Sequence, residues 1–85
     1  MDLLWTPQGW EDYLYWQATD KAKVKKINAL IKDALKTPYA GLGKPEQLRF
    51  DLSGHWSRRI DLEHRLVYAV ENDCLKIIAC RYHYA

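Results

Sequence analysis

The chain has 85 residues, with 13 Lys and Arg against 11 Asp and Glu for a formal charge of +2, and 48% of its residues are hydrophobic; that is enough for one small domain, residues 1–85, with a modest core. No apolar run approaches the ~20 residues of a membrane span, and Met1-Asp2-Leu3-Leu4-Trp5 lacks the basic flank and long apolar stretch of a secretory signal. A membrane-embedded protein is thereby excluded, and a soluble cytoplasmic one is expected.

In chain order, Leu3-Leu4-Trp5 is a short first strand. Thr6 then Pro7 reads as a cap followed by proline at the first helical position. Trp10, Tyr13, Leu14 and Gln17 recur at helical spacing, which predicts a first helix over roughly Pro7 to Ala18. Thr19-Asp20 breaks it and caps a second. From Lys21 to Lys36 the apolar positions Val24, Ile27, Leu30, Ile31 and Ala34 form a single stripe, and Thr37-Pro38 ends that helix because the residue before proline is pushed out of the helical region. Tyr39 to Pro45, holding Gly41 and Gly43, is loop. Leu48, Phe50 and Leu52 alternate with Arg49 and Asp51 as a strand, and Ser53-Gly54 turns the chain into another from Trp56 to Leu62. Arg65 to Val70 is a fourth strand, Glu71-Asn72-Asp73 a turn, and Leu75 to His83 the last strand. This order is that of an α+β fold, with two helices packed on one face of a mainly antiparallel sheet.

Cys74 and Cys80 fall in one predicted strand, ~20 Å apart, far beyond the ~4.4–6.8 Å that a disulfide spans. They are expected to be small core residues, and no metal-ligand spacing accompanies them. Seven of the eight lysines precede Pro45, whereas all five arginines stand at position 49 or later. Lysine is a mobile point charge and arginine a planar fork suited to phosphate, so the second half is the candidate phosphate-handling half. The alternative is two ordinary charged surfaces.

Alternation along strands assigns faces. Leu66, Tyr68 and Val70 should pack on the helices, leaving Arg65, Val67 and Ala69 on the other side. In the last strand Ile78, Cys80 and Tyr82 oppose Ile77, Ala79, Arg81 and His83. If the turn is symmetric about Asn72, Arg65 faces Ala79 and shares its side with His83; a two-residue turn at Asn72-Asp73 would reverse that. Ser57, Arg59 and Asp61 oppose Trp56, Ile60 and Leu62. The expected result is an open cationic trough lined by Arg59, Arg65, Arg81 and His83.

Cleaving RNA without a metal or other cofactor needs a base for the 2′-hydroxyl proton, an acid for the departing 5′-oxygen, and cations for the charge growing on the phosphoryl oxygens. Glu46, just past a Gly/Pro loop and near Lys44 and Arg49, is the candidate base, with Glu63 the second carboxylate. His83 suits the acid, its ordinary pKa near 6.5 allowing both protonation states at neutral pH. Arg65 is the candidate clamp with Arg59 behind it, and Tyr82 or Tyr84 could stack on a base. Each residue also has a plain reading: a solvated glutamate, a frayed terminal histidine, and Arg58-Arg59 paired on the surface with Asp61 and Glu63. His55 and His64 read as structural or exposed. Tyr15 and Trp16 on the first helix are expected to be exposed and to offer a homodimer contact.

The blocks Trp10-Glu11-Asp12-Tyr13-Leu14-Tyr15-Trp16, Gly43-Lys44-Pro45-Glu46, Leu52-Ser53-Gly54-His55-Trp56-Ser57-Arg58-Arg59-Ile60, Glu63-His64-Arg65-Leu66-Val67-Tyr68 and Cys80-Arg81-Tyr82-His83-Tyr84 resemble the YoeB toxins of the RelE/ParE superfamily of toxin–antitoxin systems, essentially end to end. The resemblance implies a microbial-RNase-like fold and a ribosome-dependent mRNA endonuclease that acts in the A site and arrests translation. It implies Glu46 as general base, His83 as general acid, Arg65 as transition-state stabiliser and Tyr84 as a substrate contact. Lys44, Arg49, Arg59, Glu63 and Arg81 are expected around the RNA. It further implies 2′,3′-cyclic phosphate and 5′-hydroxyl products, no metal, and a YefM-like antitoxin whose unstructured tail covers the site. Position 49 is arginine where relatives often carry lysine, and Ala85 extends past Tyr84, which displaces the terminal carboxylate.

Two rival readings belong to other classes. One is a non-catalytic superfamily member that inhibits a protein partner such as a topoisomerase. The other is an RNA- or ribosome-binding module, which needs the basic face but neither acid nor base. The joint presence of Glu46, Arg65 and His83 favours cleavage.

Overall fold

Two side-chain caps fix where the helices start. In the computed structural model, which describes residues 1–49 and 54–82, Thr6 Oγ1 accepts the Gly9 N–H at 3.0 Å and opens helix α1, Pro7–Thr19, with proline in its first turn. Asp20 donates its own N–H to Trp16 O at 2.8 Å, while its carboxylate accepts the Ala22 N–H at 3.0 Å and opens α2, Lys21–Lys36. One residue thus closes one helix and starts the next.

Among the described residues five strands follow the predicted order: β1 (Asp2–Trp5) before the helices, then β2 (Glu46–Gln47), β3 (Trp56–Arg59), β4 (Arg65–Glu71) and β5 (Cys74–Ala79). They form one sheet in the order β1-β5-β4-β3-β2. β1 lies parallel to β5 and every other pair is antiparallel. The fold is α+β, as expected. The predicted stripe of α2 is the one buried: Ile27, Leu30, Ile31 and Ala34 pack with Trp16 of α1 against Leu66, Tyr68, Leu75, Ile77 and Cys80. α1 reaches the sheet because residue 9 is glycine; a Cβ there would stand 2.6 Å from Ile77 O.

Three strand limits differ from the sequence expectation. β2 stops at Gln47, although Leu48 N–H still reaches His55 O at 2.9 Å; the expected strand residues Phe50, Asp51 and Leu52 lie outside the described residues. β3 ends at Arg59 instead of continuing to Leu62, because Asp61 Oδ1 takes the N–H groups of Glu63 and His64 at 2.7 and 2.6 Å and folds the chain into a tight loop. Leu62 is thereby turned out, 92% exposed. β5 ends at Ala79, so the expected strand residues Cys80 to Tyr82 lie beyond it, and His83 lies outside the described residues.

The register of the last hairpin also needs correction. Glu71 pairs with Cys74 across a two-residue turn in which Asn72 and Asp73 both have positive φ, 51° and 57°, the geometry that matches strand twist. Tyr68 then faces Ile77, so Ile77 lies on the helix side, not on the side expected. One extra residue, Ile78, is inserted before the next pair, Val67 with Ala79. This bulge restores the parity that the turn had reversed, and Val67, not Arg65, is the residue opposite Ala79.

Candidate functional site

The register runs a line of neighbours across the sheet: Glu46 faces Ser57, Ser57 faces Val67, and Val67 faces Ala79. Directly opposed residues share a face, so these four lie on the side away from the helices. Two residues along, Arg59 faces Arg65, and parity puts both on that side as well. Glu46 and Arg65 are two strands and two residues apart, ~12 Å between Cα atoms, a separation that their side chains can close around a phosphate. The floor of this face is not the open trough expected, since Ser57, Val67, Ala69 and Ala79 are all buried. The charged side chains gather towards one end of it.

That end is shaped by the loop before β2. Gly43, with φ 78°, accepts the Arg59 N–H on its carbonyl at 2.7 Å, and a Cβ at this position would lie 2.7 Å from Leu30 Cδ2. The loop is therefore pressed onto α2 and β3, and Lys44 follows it in a left-handed conformation, exposed. Lys26, Lys44 and Arg59 line an open depression of about 440 Å³ with Asp61 and Leu62. Arg49 is exposed just beyond β2.

The loop between β3 and β4 holds the next group. Asp61 pairs with Lys23 of α2 at 2.9 Å. Partial desolvation works against its ionisation, but the Lys23 ammonium and the N–H groups of His64 and Glu63 outweigh it and bring the carboxyl down to about 2. Lys23 is correspondingly raised by its bond to Asp61. Arg65 Nη1 donates to the carbonyls of Asp61 at 2.9 Å and His64 at 3.2 Å, which aims its guanidinium at this loop. Glu63 is exposed, its carboxylate 3.8 Å from His64 Nε2.

After β5 the chain is held by side chains from elsewhere. Cys80 N–H donates to Asp12 Oδ2 at 3.0 Å, and Cys80 O accepts the Trp16 indole N–H at 2.8 Å, so α1 grips both of its backbone groups. Burial, with Asp12 adding to it, pushes the Cys80 thiol up to about 12. Tyr82 N–H donates to His64 Nδ1 at 2.8 Å and Tyr82 O accepts the Arg65 N–H at 2.9 Å. Tyr82 has φ 71°, which costs a non-glycine residue ~1–2 kcal/mol and is sustained by those two bonds. Arg81, expected at the RNA, has its guanidinium carbon 3.5 Å from the Tyr15 ring centre and 4.6 Å from that of Tyr82. The expected acid His83 and substrate contact Tyr84 lie outside the described residues.

Two expectations change. Trp16 is 6% exposed with its indole spent on Cys80, so it cannot face a second copy; the exposed large apolar residues of α1 are Trp10, Leu14 and Tyr15. Arg58 is not a surface ion-pair partner of Asp61 or Glu63. It is wholly buried and donates to Tyr68 Oη (2.9 Å), Asp33 Oδ2 (2.6 Å), Leu42 O (3.1 Å), Thr37 O (2.6 Å) and Ala40 O (2.9 Å). All five donors of the guanidinium are used. The Leu42 N–H and then the Arg58 guanidinium hold the Asp33 carboxyl below its ordinary value. The sequence did carry a signal: Arg58 alternates with Trp56 and Ile60, which puts it on the core face.

The arrangement offers a carboxylate and three cations on one side of a sheet, with the chain held by side chains as far as Tyr82, elements able to bind a phosphodiester. Among the described residues no three His, Cys, Asp or Glu side chains are placed to hold a metal ion. The family model described as YoeB-like toxin of bacterial type II toxin-antitoxin system matches residues 5–84. Toxin YoeB of Escherichia coli K12 is 66% identical over 84 residues, 99% of this chain and 100% of that protein. The Streptomyces coelicolor protein of the same name is 52% identical over the same shares of both chains. Among solved structures, the YoeB/ParE toxin from Agrobacterium tumefaciens matches with a TM-score of 0.96 and 55% identity over 99% of this chain and 100% of that one. The YoeB–YefM complex from Staphylococcus aureus matches with a TM-score of 0.90 and 47% identity over 99% and 98%.

Proposed function

The chain belongs to the YoeB-like toxins of bacterial type II toxin–antitoxin systems, and we propose that it is an endoribonuclease that cuts mRNA in the ribosomal A site by acid–base chemistry without a metal. In this reading Glu46 removes the proton of the 2′-hydroxyl, and the 2′-oxygen forms a bond to phosphorus as the bond to the 5′-oxygen breaks. Arg65, with Arg59 beside it, neutralises the charge that accumulates on the non-bridging oxygens. His83 gives its proton to the departing 5′-oxygen. The products are a 2′,3′-cyclic phosphate and a 5′-hydroxyl. Lys44, Arg49 and Glu63 border the substrate, and Tyr84 packs against it. Arg81 is the weakest of the proposed RNA contacts, since its guanidinium is already stacked on Tyr15.

The observation that carries this reading is the sheet register, which puts Glu46 and Arg65 on the same face with Arg59 between them. Ribosome dependence rests on kinship alone. A YefM-like antitoxin and a second copy of this chain are the proposed partners, because Staphylococcus aureus relatives have been solved as a YoeB–YefM complex and as a YoeB dimer. Primer extension on a translated message tests the activity. Position-specific stops that require ribosomes and disappear in Glu46→Ala and His83→Gln are expected. Binding without cuts refutes cleavage, and cuts of equal strength on naked RNA refute the dependence on ribosomes.

A further inference from the structure

His64 takes no part in the chemistry above, yet its ring is buried in a way that an exposed loop does not require. Its side chain is 12% exposed, and it stands edge-on to Trp16 with 4.8 Å between ring centres. Its backbone is pinned at both ends: the N–H donates to Asp61 Oδ1 at 2.6 Å, and the carbonyl accepts from Ile60 N–H at 3.0 Å and from Arg65 Nη1 at 3.2 Å. From that fixed base Nδ1 accepts the Tyr82 N–H at 2.8 Å. A nitrogen that accepts carries no proton, so the ring proton sits on Nε2.

We propose that His64 is a positioning residue for cleavage: through Nδ1 it fixes the backbone of Tyr82, the residue before the proposed acid His83, beside Arg65. The inference rests on the cleavage reading, in which His83 is the acid. Three observations support it. Tyr82 is 56% exposed, so a partly buried imidazole spent on its N–H contributes little to the core. The positive φ of Tyr82 is held on one side by His64 and on the other by the N–H of Arg65. His64 and Arg65 are adjacent, so one dipeptide locates both the proposed clamp and the segment leading to the proposed acid.

The test compares the full chain with His64→Asn and His64→Gln. The Asn amide oxygen can occupy the place of Nδ1 and accept the same N–H, whereas the Gln oxygen lies one bond farther out. Cleavage of a ribosome-bound message is followed under single-turnover conditions, and the Tyr82 amide is followed by nitrogen-15 NMR and hydrogen exchange. His64→Gln should lower the saturating rate on the order of 10- to 100-fold, as displaced catalytic groups do, with the half-saturating ribosome concentration unchanged. It should also shift the Tyr82 amide resonance and hasten its exchange, while His64→Asn restores both readouts. The proposal is overturned if Asn and Gln cleave equally, or if the Tyr82 amide in His64→Gln keeps its wild-type shift and protection. It is also overturned if His64→Gln fails to fold, because a tie to an exposed terminus requires a near-native melt. A wild-type chain that cuts nothing while its Tyr82 amide responds to the Gln change removes the cleavage reading and leaves the tie in place.

Discussion

Replacing Arg58 with Met keeps the bulk of the side chain and removes the five donors. The guanidinium is wholly buried, whereas its partner Asp33 is only partly so. In the variant, Asp33 Oδ2 keeps the Leu42 N–H at 2.9 Å but loses its cation. Tyr68 Oη keeps its bond to Pro38 O at 2.6 Å but no longer accepts. Bonds to a charged group are worth ~1.5–3 kcal/mol each, and five of them would exceed what a small domain can lose. The carbonyls of Thr37, Ala40 and Leu42 belong to exposed residues and recover water, so the expected net loss is that of the two bonds to Tyr68 and Asp33, ~3–5 kcal/mol. For 85 residues the whole stability is roughly 4–13 kcal/mol, and the melting temperature should fall by roughly 15–30 °C. Arg58→Lys keeps the charge but has three donors and no fork, and should fall between Met and wild type. Arg59→Met, one residue away and exposed, should stay within about 0.5 kcal/mol. Urea unfolding followed by tryptophan fluorescence measures all three. An Arg58→Met loss below about 1 kcal/mol, or an Arg58→Lys curve that overlays wild type, would refute the reasoning.

Other outcomes follow from the same contacts. Asp61, held at about 2 against an ordinary 3.8, is a stabilising carboxylate above the ordinary value and loses that contribution as pH falls through about 2. Asp61→Asn should therefore cost roughly 1–2 kcal/mol at neutral pH after solvent screening, and nothing at the acid limit; a difference in urea midpoint that is flat with pH refutes this. With the Cys80 thiol pushed up to about 12, thiolate is scarce at pH 8, so a disulfide reagent should label Cys74 first and reach Cys80 only on unfolding. Equal labelling rates would contradict it. Gly9→Ala puts a methyl 2.6 Å from Ile77 O and should cost ~1–3 kcal/mol by lifting α1 from β5; an unchanged melt would show that the helix yields freely.

The parts legible in the sequence were those governed by neighbours in the chain. Thr6-Pro7, Asp20 and Thr37-Pro38 fix the helix limits through local caps and breaks, and the α2 stripe names its own buried face. The strand ends were not legible, because they depend on competition from a side chain. Asp61 diverts the N–H groups of Glu63 and His64 from continuing β3, and alternation continues through Leu62 regardless. Arg58 was half legible. It was read as a surface ion-pair partner although its parity with Trp56 and Ile60 points inward, and the five acceptors awaiting it come from α2, from the loop after it and from β4, which only tertiary structure brings together.

Ala79 shows how a correct face assignment can arise from an incorrect register. Symmetry about Asn72 and a two-residue turn differ by one residue, and that slip alone would have moved Ala79 to the helix side. Ile78 supplies the compensating residue, and the kink it makes is secured from outside the hairpin: Thr6 donates its hydroxyl to Ile78 O at 2.9 Å and its N–H to Ile77 O at 3.0 Å. The residue that caps α1 is therefore also the one that holds the bulge. Cys80 is next gripped by Asp12 and Trp16 of the same helix, and Tyr82 by the loop that carries Arg65. Each step towards the C-terminus is set by a contact more than ten residues away in sequence, so none of it leaves a periodic trace. The chemistry-bearing residues could be named from their types, but the path of the chain from Ala79 to Tyr82 depends on α1 and the β3–β4 loop acting as one clamp.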